Sequence, residues 1–268
     1  MKNKNKIKLG LGLVGIGLSL GLYINNQCFL AKEEKITLRS EKINSPIRIT
    51  QISDLHSNPI KNLDELLANI KSFDPHFIIL TGDMIDYGTD SKIERTIYFL
   101  KNLSKLKIKT FYITGNHEEG GPNLDKFLSA IKELGIIYLN NESYKSEIDD
   151  QEIYIYGTSM LDFSYDNYKP SEDSINIILS HYSKNVRDNY IGSEDFIFSG
   201  HTHGGQVRLP IIGGILAPGE GVLPDYDKGV YNYKNSIIYV DSGLGNTFLP
   251  LRFLDQIEYS NITLAPVV

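Results

Sequence analysis

Two histidines one residue apart, His201 and His203, lie among glycines in the segment 199–205. Because this segment directly follows the apolar run 196–198, both imidazoles are expected to leave the end of a buried strand on a tight turn. Neutral imidazole is the commonest metal ligand in proteins, and glycine allows the backbone to approach an ion closely. An ordinary hairpin turn would have the same local pattern, so the interpretation depends on whether other ligands accompany this pair.

Four other predicted strands also end in side chains that bind metals. The strands and the residues that follow them are 47–52 with Asp54 and His56, 77–80 with Asp83, 110–114 with Asn116, and 175–179 with His181. Ligands that gather outside the carboxyl ends of strands are the expected site geometry of α/β sheets. Oxygen and nitrogen ligands without thiolate suit Mn, Fe or Zn.

Amphipathic segments between these strands position them in a sheet. The periodicity predicts helices over 62–73, 91–106 and 123–134, with Asn62 and Glu65 in a capping arrangement at the start of the first. The last third of the chain alternates apolar and polar residues over 206–209, 229–233, 237–240 and 257–264, which is typical of antiparallel strands. We expect a second sheet packed on the first, with helices outside.

Composition excludes several classes of function. The chain has 268 residues, a net charge of -6 and a pI of about 5.6, and no stripe of basic residues, so nucleic acid is not the expected partner. A phosphate-bearing substrate remains compatible, because divalent cations would reverse the local field. The single cysteine, Cys28, excludes an internal disulfide and a thiolate zinc site.

The first thirty residues differ from the rest. Four lysines at positions 2, 4, 6 and 8 precede an uncharged run over 9–24, which is the pattern of a signal sequence. We interpret 1–30 as an uncleaved signal anchor with one transmembrane helix, 31–45 as a tether that ends in an edge strand, and 46–268 as the catalytic domain. The lysines would stay in the cytoplasm, so the domain is expected outside the cell membrane. A cleaved signal peptide with secretion, or a buried helix, are the alternatives.

The set Asp54-x-His56, Gly82-Asp83-x-x-Asp86, Gly115-Asn116-His117-Glu118, His181 and Gly200-His201-x-His203 resembles the calcineurin-like metallophosphoesterase family over nearly all of 47–264. The segment 200–210 and the later 242–245 are most similar to a membrane-anchored bacterial branch, which includes cell-envelope phosphodiesterases and UDP-2,3-diacylglucosamine pyrophosphatases. The resemblance implies a four-layer αββα sandwich with two mixed sheets. Tyr182-Ser183 and Asp255-Gln256-Ile257 depart from the family pattern without touching a proposed ligand.

The resemblance also implies residue roles. One divalent cation would be held by Asp54, His56 and His203, the other by Asn116, His181 and His201, with Asp83 bridging the two. A water molecule shared by two such cations is acidified enough to attack phosphorus near neutral pH. His117 would assist the leaving group, as a general acid or by stabilising its negative charge.

Five further residues have two interpretations each. Asp86 is either an acceptor for a ligating histidine or a solvated residue, and Glu118 has the same alternatives. Arg208 and Arg252 either grip a substrate phosphate or form ordinary ion pairs. His76 precedes a strand and is interpreted as a surface residue.

We therefore expect a hydrolase that cleaves phosphodiester or pyrophosphate bonds, with a lipid-linked or cell-wall substrate and with membrane contact through the N-terminal helix. One alternative is a general phosphodiesterase that acts on soluble substrates. Another is a metal-binding scaffold without catalysis. A scaffold, however, has no reason to retain both His117 and all of the proposed ligands.

Overall fold

Two six-stranded sheets form the body of the protein. The computed structural model describes residues 2–87, 90–247 and 250–267, with side chains from residue 12 onward. The first sheet contains, in spatial order, β1 (Lys32–Arg39), β16 (Glu258–Ala265), β2 (Ile47–Ile52), β3 (Phe77–Thr81), β4 (Lys109–Ile113) and β5 (Ile137–Tyr138). The strands β2 to β5 run parallel, and β16 is antiparallel to β2.

The second sheet is also mixed. Its spatial order is β14 (Gly229–Tyr233), β15 (Ser236–Val240), β9 (Phe196–Ser199), β8 (Ile175–Leu179), β7 (Gln151–Gly157) and β6 (Glu142–Ile148). The four inner strands run parallel, and the edge strands β6 and β14 are antiparallel to their neighbours. The two mixed sheets of the prediction are confirmed. The C-terminal strands, however, divide between the sheets, since β14 and β15 join the second and β16 joins the first.

Apolar side chains fill the space between the sheets. Ile49, Phe77 and Phe111 of the first sheet pack against Ile177 and Phe198 of the second, and all five are buried. Strands that are covered on both faces carry continuous apolar runs instead of alternating ones, as the sequence of β3 and β8 shows.

Most of the helices that pack on a sheet cover the outer face of the first one. The helices are α1 (Lys2–Phe29), α2 (Leu63–Phe73), α3 (Asp90–Ser104), α4 (Asn116–Glu119), α5 (Leu124–Glu133) and α6 (Ser183–Asp188). Buried residues of α2, α3 and α5 pack on the outer face of the first sheet. The outer face of the second sheet is covered by the short α6 and by tyrosine-rich loops. The prediction of the fourth layer is therefore wrong in one respect. The layer in the structure contains one short helix and aromatic loops instead of several helices.

Two local expectations are corrected. The side chain of Asn62 does not cap α2; it accepts a hydrogen bond from the amide of Ala31 and donates to Glu65. The segment after His203 forms a 3-10 turn (His203–Gly205) and two small hairpins. The hairpins pair β10 (Arg208–Leu209) with β11 (Gly213–Gly214), and β12 (Leu216–Ala217) with β13 (Gly221–Val222). The sequence predicted only one strand here.

Within the described residues, no helix is both long enough and apolar enough to cross a membrane, so the predicted transmembrane helix is not supported. The described side chains of α1 begin at residue 12, and the amides Asn25, Asn26 and Gln27 lie in its last two turns before Phe29. The side chains of the four lysines lie outside the described part. Of the expected tether, residues 32–39 are strand β1, which pairs with β16 along its whole length. The division of the chain at residues 30 and 45 stays a prediction.

Candidate metal centre

Three neighbouring strands of the first sheet deliver four of the seven predicted ligands. Asp54 and His56 follow β2, Asp83 follows β3, and Asn116 begins α4 after β4. Because β2, β3 and β4 are adjacent and parallel, their carboxyl ends meet at one edge of the sheet. The same connections bring His117 and Glu118 to this edge.

The second sheet delivers the remaining three ligands from its own carboxyl edge. His181 follows β8, and His201 and His203 follow the adjacent parallel strand β9. Hydrogen bonds join this edge to the first. The backbone amide of His201 donates to Asp54 Oδ2 at 3.0 Å, and His181 Nδ1 lies 2.8 Å from the carbonyl oxygen of Thr81. The imidazole of His181 therefore has its Nδ1 engaged by backbone and turns its Nε2 toward the carboxylates.

The backbone of the ligand turns is tightly folded. Asp54, His56, Asp83, His201 and His203 all have positive φ, which costs an L-residue about 1–2 kcal/mol. Such conformations gather at functional sites, where the surrounding structure enforces them. Gly115 illustrates the crowding, since a Cβ there would lie 2.1 Å from Asp83 Oδ1.

Carboxylates and imidazoles interlock at this junction. The groups whose ligand atoms all lie within 4.8 Å of one another are Asp54, His56 and His203; Asp83, His181 and His201; and Asp83, His56 and His117. Asp83 Oδ2 lies 3.5 Å from His56 Nε2 and 3.3 Å from His181 Nε2. Asp83 thus touches both of the predicted ligand sets, which is the position that a bridging carboxylate requires.

Two observations show that the residues fit divalent cations. Asn116 Oδ1 is buried and has no hydrogen-bond partner among the described residues, although a buried acceptor normally has one. The ring nitrogens of the histidines face one another, with His56 Nε2 3.1 Å from His203 Nε2, and His201 Nδ1 3.2 Å from His181 Nε2. Open acceptors and lone pairs that converge in this way provide ligands for cations. Their number and identity are addressed below.

Burial keeps most of these imidazoles neutral. It lowers the pKa of His56 to about 4, that of His201 to about 3, and that of His203 well below its usual value. At neutral pH these three rings therefore have a free lone pair, as metal binding requires.

His181 differs from the other three. Burial alone would lower its pKa, but the carboxylates of Asp83 and Asp54 outweigh that effect and raise the pKa to about 10. Burial would likewise raise the pKa of Asp83, yet the neighbouring His181 and His56 hold it well below its usual range. In the metal-free protein a proton on His181 thus balances the negative charge that a cation would otherwise neutralise.

His117 lies at the rim of the ligand cluster. Its Nδ1 is 3.1 Å from Asp86 Oδ1, and its Nε2 is 3.9 Å from Asp83 Oδ2. The ring packs against Tyr87 with centroids 4.4 Å apart, and the side chain is 26% exposed. Asp86 is itself fixed by Lys92 Nζ at 2.7 Å. Nδ1 is therefore held by a carboxylate, while Nε2 faces both the ligands and solvent.

Glu118 acts on the backbone instead of on a ligand side chain. Its fully buried carboxylate accepts hydrogen bonds from the amides of Asp83 and Gly115 at 2.9 Å and from Ile85 at 3.0 Å. Burial raises the pKa of Glu118 to about 8. The residue ties the turn after β3 to the turn after β4. Asp86, the other expected acceptor, pairs with His117 and not with a predicted ligand.

The two arginines hold the histidine loop through hydrogen bonds and ion pairs, and for the partly exposed Arg208 a contact with substrate phosphate stays a prediction. Arg252 is fully buried, and its guanidinium donates to Asp255, Ser242 and the carbonyl of Gly245, so a substrate cannot reach it. Its Nη2 lies 3.5 Å from His203 Nδ1. Arg208 donates from Nη1 to the carbonyl of Gly204 and to Asp227, both at 2.7 Å. The ion-pair interpretation describes both residues.

Other residues of the site were absent from the sequence prediction. Tyr87 packs on His117, Lys92 holds Asp86, and Ser53 donates to Asp54 Oδ2. The sequence could have indicated only Ser53 and Tyr87, because each of them is adjacent to a predicted residue. His76 lies outside the site, as expected, at the start of β3, where its Nδ1 accepts from the amide of Arg48.

Comparison with known proteins agrees with this geometry. The family model described as "Calcineurin-like phosphoesterase" matches residues 47–205, which is more than half of the chain. A Bacillus subtilis protein named "Uncharacterized metallophosphoesterase YkuE" is 30% identical over 81% of this chain and 78% of its own length. The B. subtilis protein YpbG is 29% identical over 87% of this chain and 86% of its own. A Helicobacter pylori protein named as a metallophosphoesterase is 29% identical over 88% of this chain and 64% of its own.

The matched range begins at β2 and ends just after His203, so it contains every proposed ligand and His117. It leaves out α1, β1 and the strands after β9. On the match of the family model, the identity to named metallophosphoesterases and the ligand cluster at the junction of two sheets, the chain belongs to the calcineurin-like phosphoesterase family, whose members hydrolyse phosphoester bonds with divalent metal.

Proposed function

We propose that this protein hydrolyses phosphodiester or pyrophosphate bonds at a two-cation centre. Asp54, His56 and His203 would hold one cation, Asn116, His181 and His201 would hold the other, and Asp83 would contribute to both. The observation that carries the proposal is the position of Asp83, within 3.5 Å of His56 Nε2 and 3.3 Å of His181 Nε2. Mn, Fe and Zn fit the oxygen and nitrogen ligands.

Bound divalent cations supply two effects here: they acidify a water molecule, and they neutralise charge on the phosphoryl oxygens. The protein supplies the proton for the leaving group. His117 Nδ1 is held by Asp86 at 3.1 Å and its ring by Tyr87, so Nε2 points to a fixed place beside the ligands. A protonated Nε2 there donates to the departing oxygen, and such general acids contribute about 10²–10⁴-fold.

The test is hydrolysis of bis(p-nitrophenyl) phosphate and p-nitrophenyl phosphate by the full chain with added Mn. We expect the diester to be cleaved in preference to the monoester, and cleavage to be lost in Asp83→Asn. His76→Asn is the matched control, since His76 lies at the opposite end of β3. Absence of cleavage of either ester by wild type with metal bound would contradict the proposal.

We further propose that the substrate belongs to the cell envelope, with the protein at the cell membrane and its catalytic part outside. Two observations support this: the basic residues that begin the sequence, and the described apolar side chains of α1 such as Leu13, Ile16 and Leu18, which are exposed. Fractionation of cells, followed by protease treatment of intact spheroplasts, tests the location. Recovery in the cytoplasmic fraction would contradict it.

The substrate is tested separately from the location. A lipid-linked diester or pyrophosphate presented in mixed micelles should be cleaved faster than a soluble analogue with the same reacting group. Equal rates on both would favour a general phosphodiesterase that acts on soluble substrates.

A further inference from the structure

A cleft of about 340 Å³ opens directly beside the metal centre. His56 and Asp86 form its inner wall, and Lys92 and Arg95, one turn apart on α3, form its side. Its volume is at the lower end of the range of small-molecule sites. The cleft shares His56 with the ligand cluster, so any group that occupies it would be part of a molecule that reaches the metals.

The charges of this cleft are unequal. Lys92 Nζ pairs with Asp86 Oδ2 at 2.7 Å and neutralises that carboxylate. Arg95 donates one hydrogen bond, from Nη1 to the carbonyl oxygen of Ser57 at 3.0 Å, and no carboxylate of the described residues pairs with it. The guanidinium of Arg95 therefore presents a positive charge at the wall of the cleft. Most of its N–H donors have no partner among the described residues. A guanidinium in this state is suited to bidentate binding of a phosphate or carboxylate.

The bond to Ser57 also fixes where this charge lies. Ser57 follows the predicted ligand His56, and its hydroxyl accepts a hydrogen bond from Thr96 of the same helix at 2.9 Å. The helix α3 is thus anchored to the ligand turn at two adjacent positions. Such anchoring pre-organises Arg95 relative to the metals, which reduces the entropy that a ligand loses on binding.

The far wall of the cleft is polar as well. Asn246 donates from Nδ2 to the carbonyl of Cys28 and to Asn58 Oδ1, but its buried Oδ1 has no partner among the described residues. An acceptor without a donor is uncommon in a protein interior, so this oxygen is open to a donor of a bound molecule or to water.

From the cleft, the guanidinium that no described carboxylate pairs with and the position beside His56, we infer that Arg95 forms a subsite for a second anionic group of the substrate. The inference rests on the proposed function and narrows it, because the preferred substrate then carries a further phosphate or carboxylate near the phosphoryl group that is cleaved. A simple diester without such a further group would leave this subsite empty.

A matched pair of chromogenic esters tests the subsite. Thymidine 5'-(p-nitrophenyl phosphate) and its 3'-phosphorylated form have the same leaving group and differ by one phosphate. We expect the full chain, loaded with Mn, to show a higher kcat/KM for the 3'-phosphorylated ester, mainly through a lower KM. In Arg95→Gln this preference should fall about tenfold or more, the usual effect of losing a charge-assisted hydrogen bond. Activity on the ester without the extra phosphate should fall much less, by no more than the loss of the hydrogen bond to Ser57 causes.

Two control variants separate charge from structure. Lys101→Gln removes an exposed positive charge from the same helix and should leave the preference intact. Arg95→Lys keeps the charge and should retain part of it. The inference is overturned if wild type shows no preference, or if Arg95→Gln slows both esters equally, which would mean that Arg95 only supports the ligand turn. If wild type cleaves neither ester, the proposed function itself fails.

Discussion

The two sheets contribute different chemistry to the same site. The first-sheet side, meaning the turns after β2, β3 and β4, provides both carboxylates, the amide of Asn116, the imidazole of His56 and the partly exposed His117. The second-sheet side, meaning the turns after β8 and β9, provides only imidazoles. The first side therefore sets the charge of the site and handles protons, whereas the second completes the coordination with mostly neutral rings.

The two sides are also supported differently. Backbone amides that donate to Glu118 hold the first-sheet turns. The second-sheet turn with His203 rests on Arg252, whose positive charge is balanced by Asp255. Lys228 extends this buried network to Glu258 of β16. One side thus depends on hydrogen bonds to peptide groups, and the other on buried ion pairs that come from the C-terminal part of the chain.

Removing the carboxylate that both sides share should have the largest effect. Asp83→Asn keeps the shape of the side chain but removes the charge that His56 and His181 face. We expect the rate of hydrolysis of bis(p-nitrophenyl) phosphate to fall about 10⁴-fold. This loss is at least as large as the loss that follows removal of a general acid. We also expect less Mn to be retained after dialysis. Full metal retention and unchanged turnover would show that Asp83 is not shared.

Changing His117 should separate catalysis from metal binding. His117→Asn should lower kcat about 10²–10⁴-fold, because the leaving group loses its proton donor. Metal content, measured by atomic emission, should stay at the wild-type value, since His117 lies at the rim. Esters with better leaving groups should be affected less. An equal loss for all leaving groups would assign His117 a positioning role.

Replacing Arg252, which supports the second-sheet side, should lower the free energy of unfolding more than it lowers the rate of hydrolysis. Arg252→Met removes the closest ion-pair partner of the buried Asp255, which keeps only Lys228 Nζ at 3.3 Å, so the free energy of unfolding should fall by up to about 3–5 kcal/mol. Because the guanidinium also contacts the His203 ring, Mn affinity should fall about 10–100-fold. Urea unfolding and metal titration measure both effects.

Arg48→Met is the matched control for this change. Arg48 forms a largely exposed ion pair with Asp74, and such pairs contribute about 0–1 kcal/mol. A similar loss of stability in both variants would contradict the distinction between buried and exposed pairs.

The charge difference between the sides predicts a pH effect in the metal-free protein. The carboxylates raise the folded-state pKa of His181 to about 10, above its unfolded value near 6.5. The stability that His181 contributes is therefore complete below pH 6.5 and is lost as the pH rises toward 10. In the presence of EDTA, the stability difference between wild type and His181→Asn should shrink over this window by up to about 5 kcal/mol, at about 1.36 kcal/mol for each pH unit.

His76 supplies the control for the pH effect. Burial lowers its folded-state pKa below the unfolded value near 6.5, so between about pH 7.5 and 10 it is almost entirely neutral in both states. The difference between wild type and His76→Asn should stay constant there. If the stability difference between wild type and His181→Asn were equally constant with pH, the carboxylates would not hold a proton on His181.

Much of the first-sheet side could be predicted from the sequence, because each ligand directly follows an apolar strand. The position of a residue after a strand fixes the edge at which it lies, and parallel neighbours bring such edges together. His181 belongs to the second-sheet side, and only one short motif indicated it. The same reasoning predicts its place directly after β8. Local sequence was sufficient for these residues.

The supporting residues could not be predicted in this way. Arg252 looked like a phosphate ligand, because the sequence does not show that Asp255 and Ser242 enclose it. Asn62 matched a capping box, but the amide of Ala31, far away in sequence, binds its side chain instead. The hairpins after His203 pair only two residues on each strand, too few for an alternating pattern. Each of these features depends on contacts between distant parts of the chain.

Anomalous diffraction from crystals of the full chain loaded with Mn tests the central claim most directly. The account predicts two separate peaks, both in contact with Asp83, with Asn116 Oδ1 and His181 at one and Asp54 and His203 at the other. A single peak, or none beside Asp83 with Mn in excess, would contradict a site that the two sheets build together.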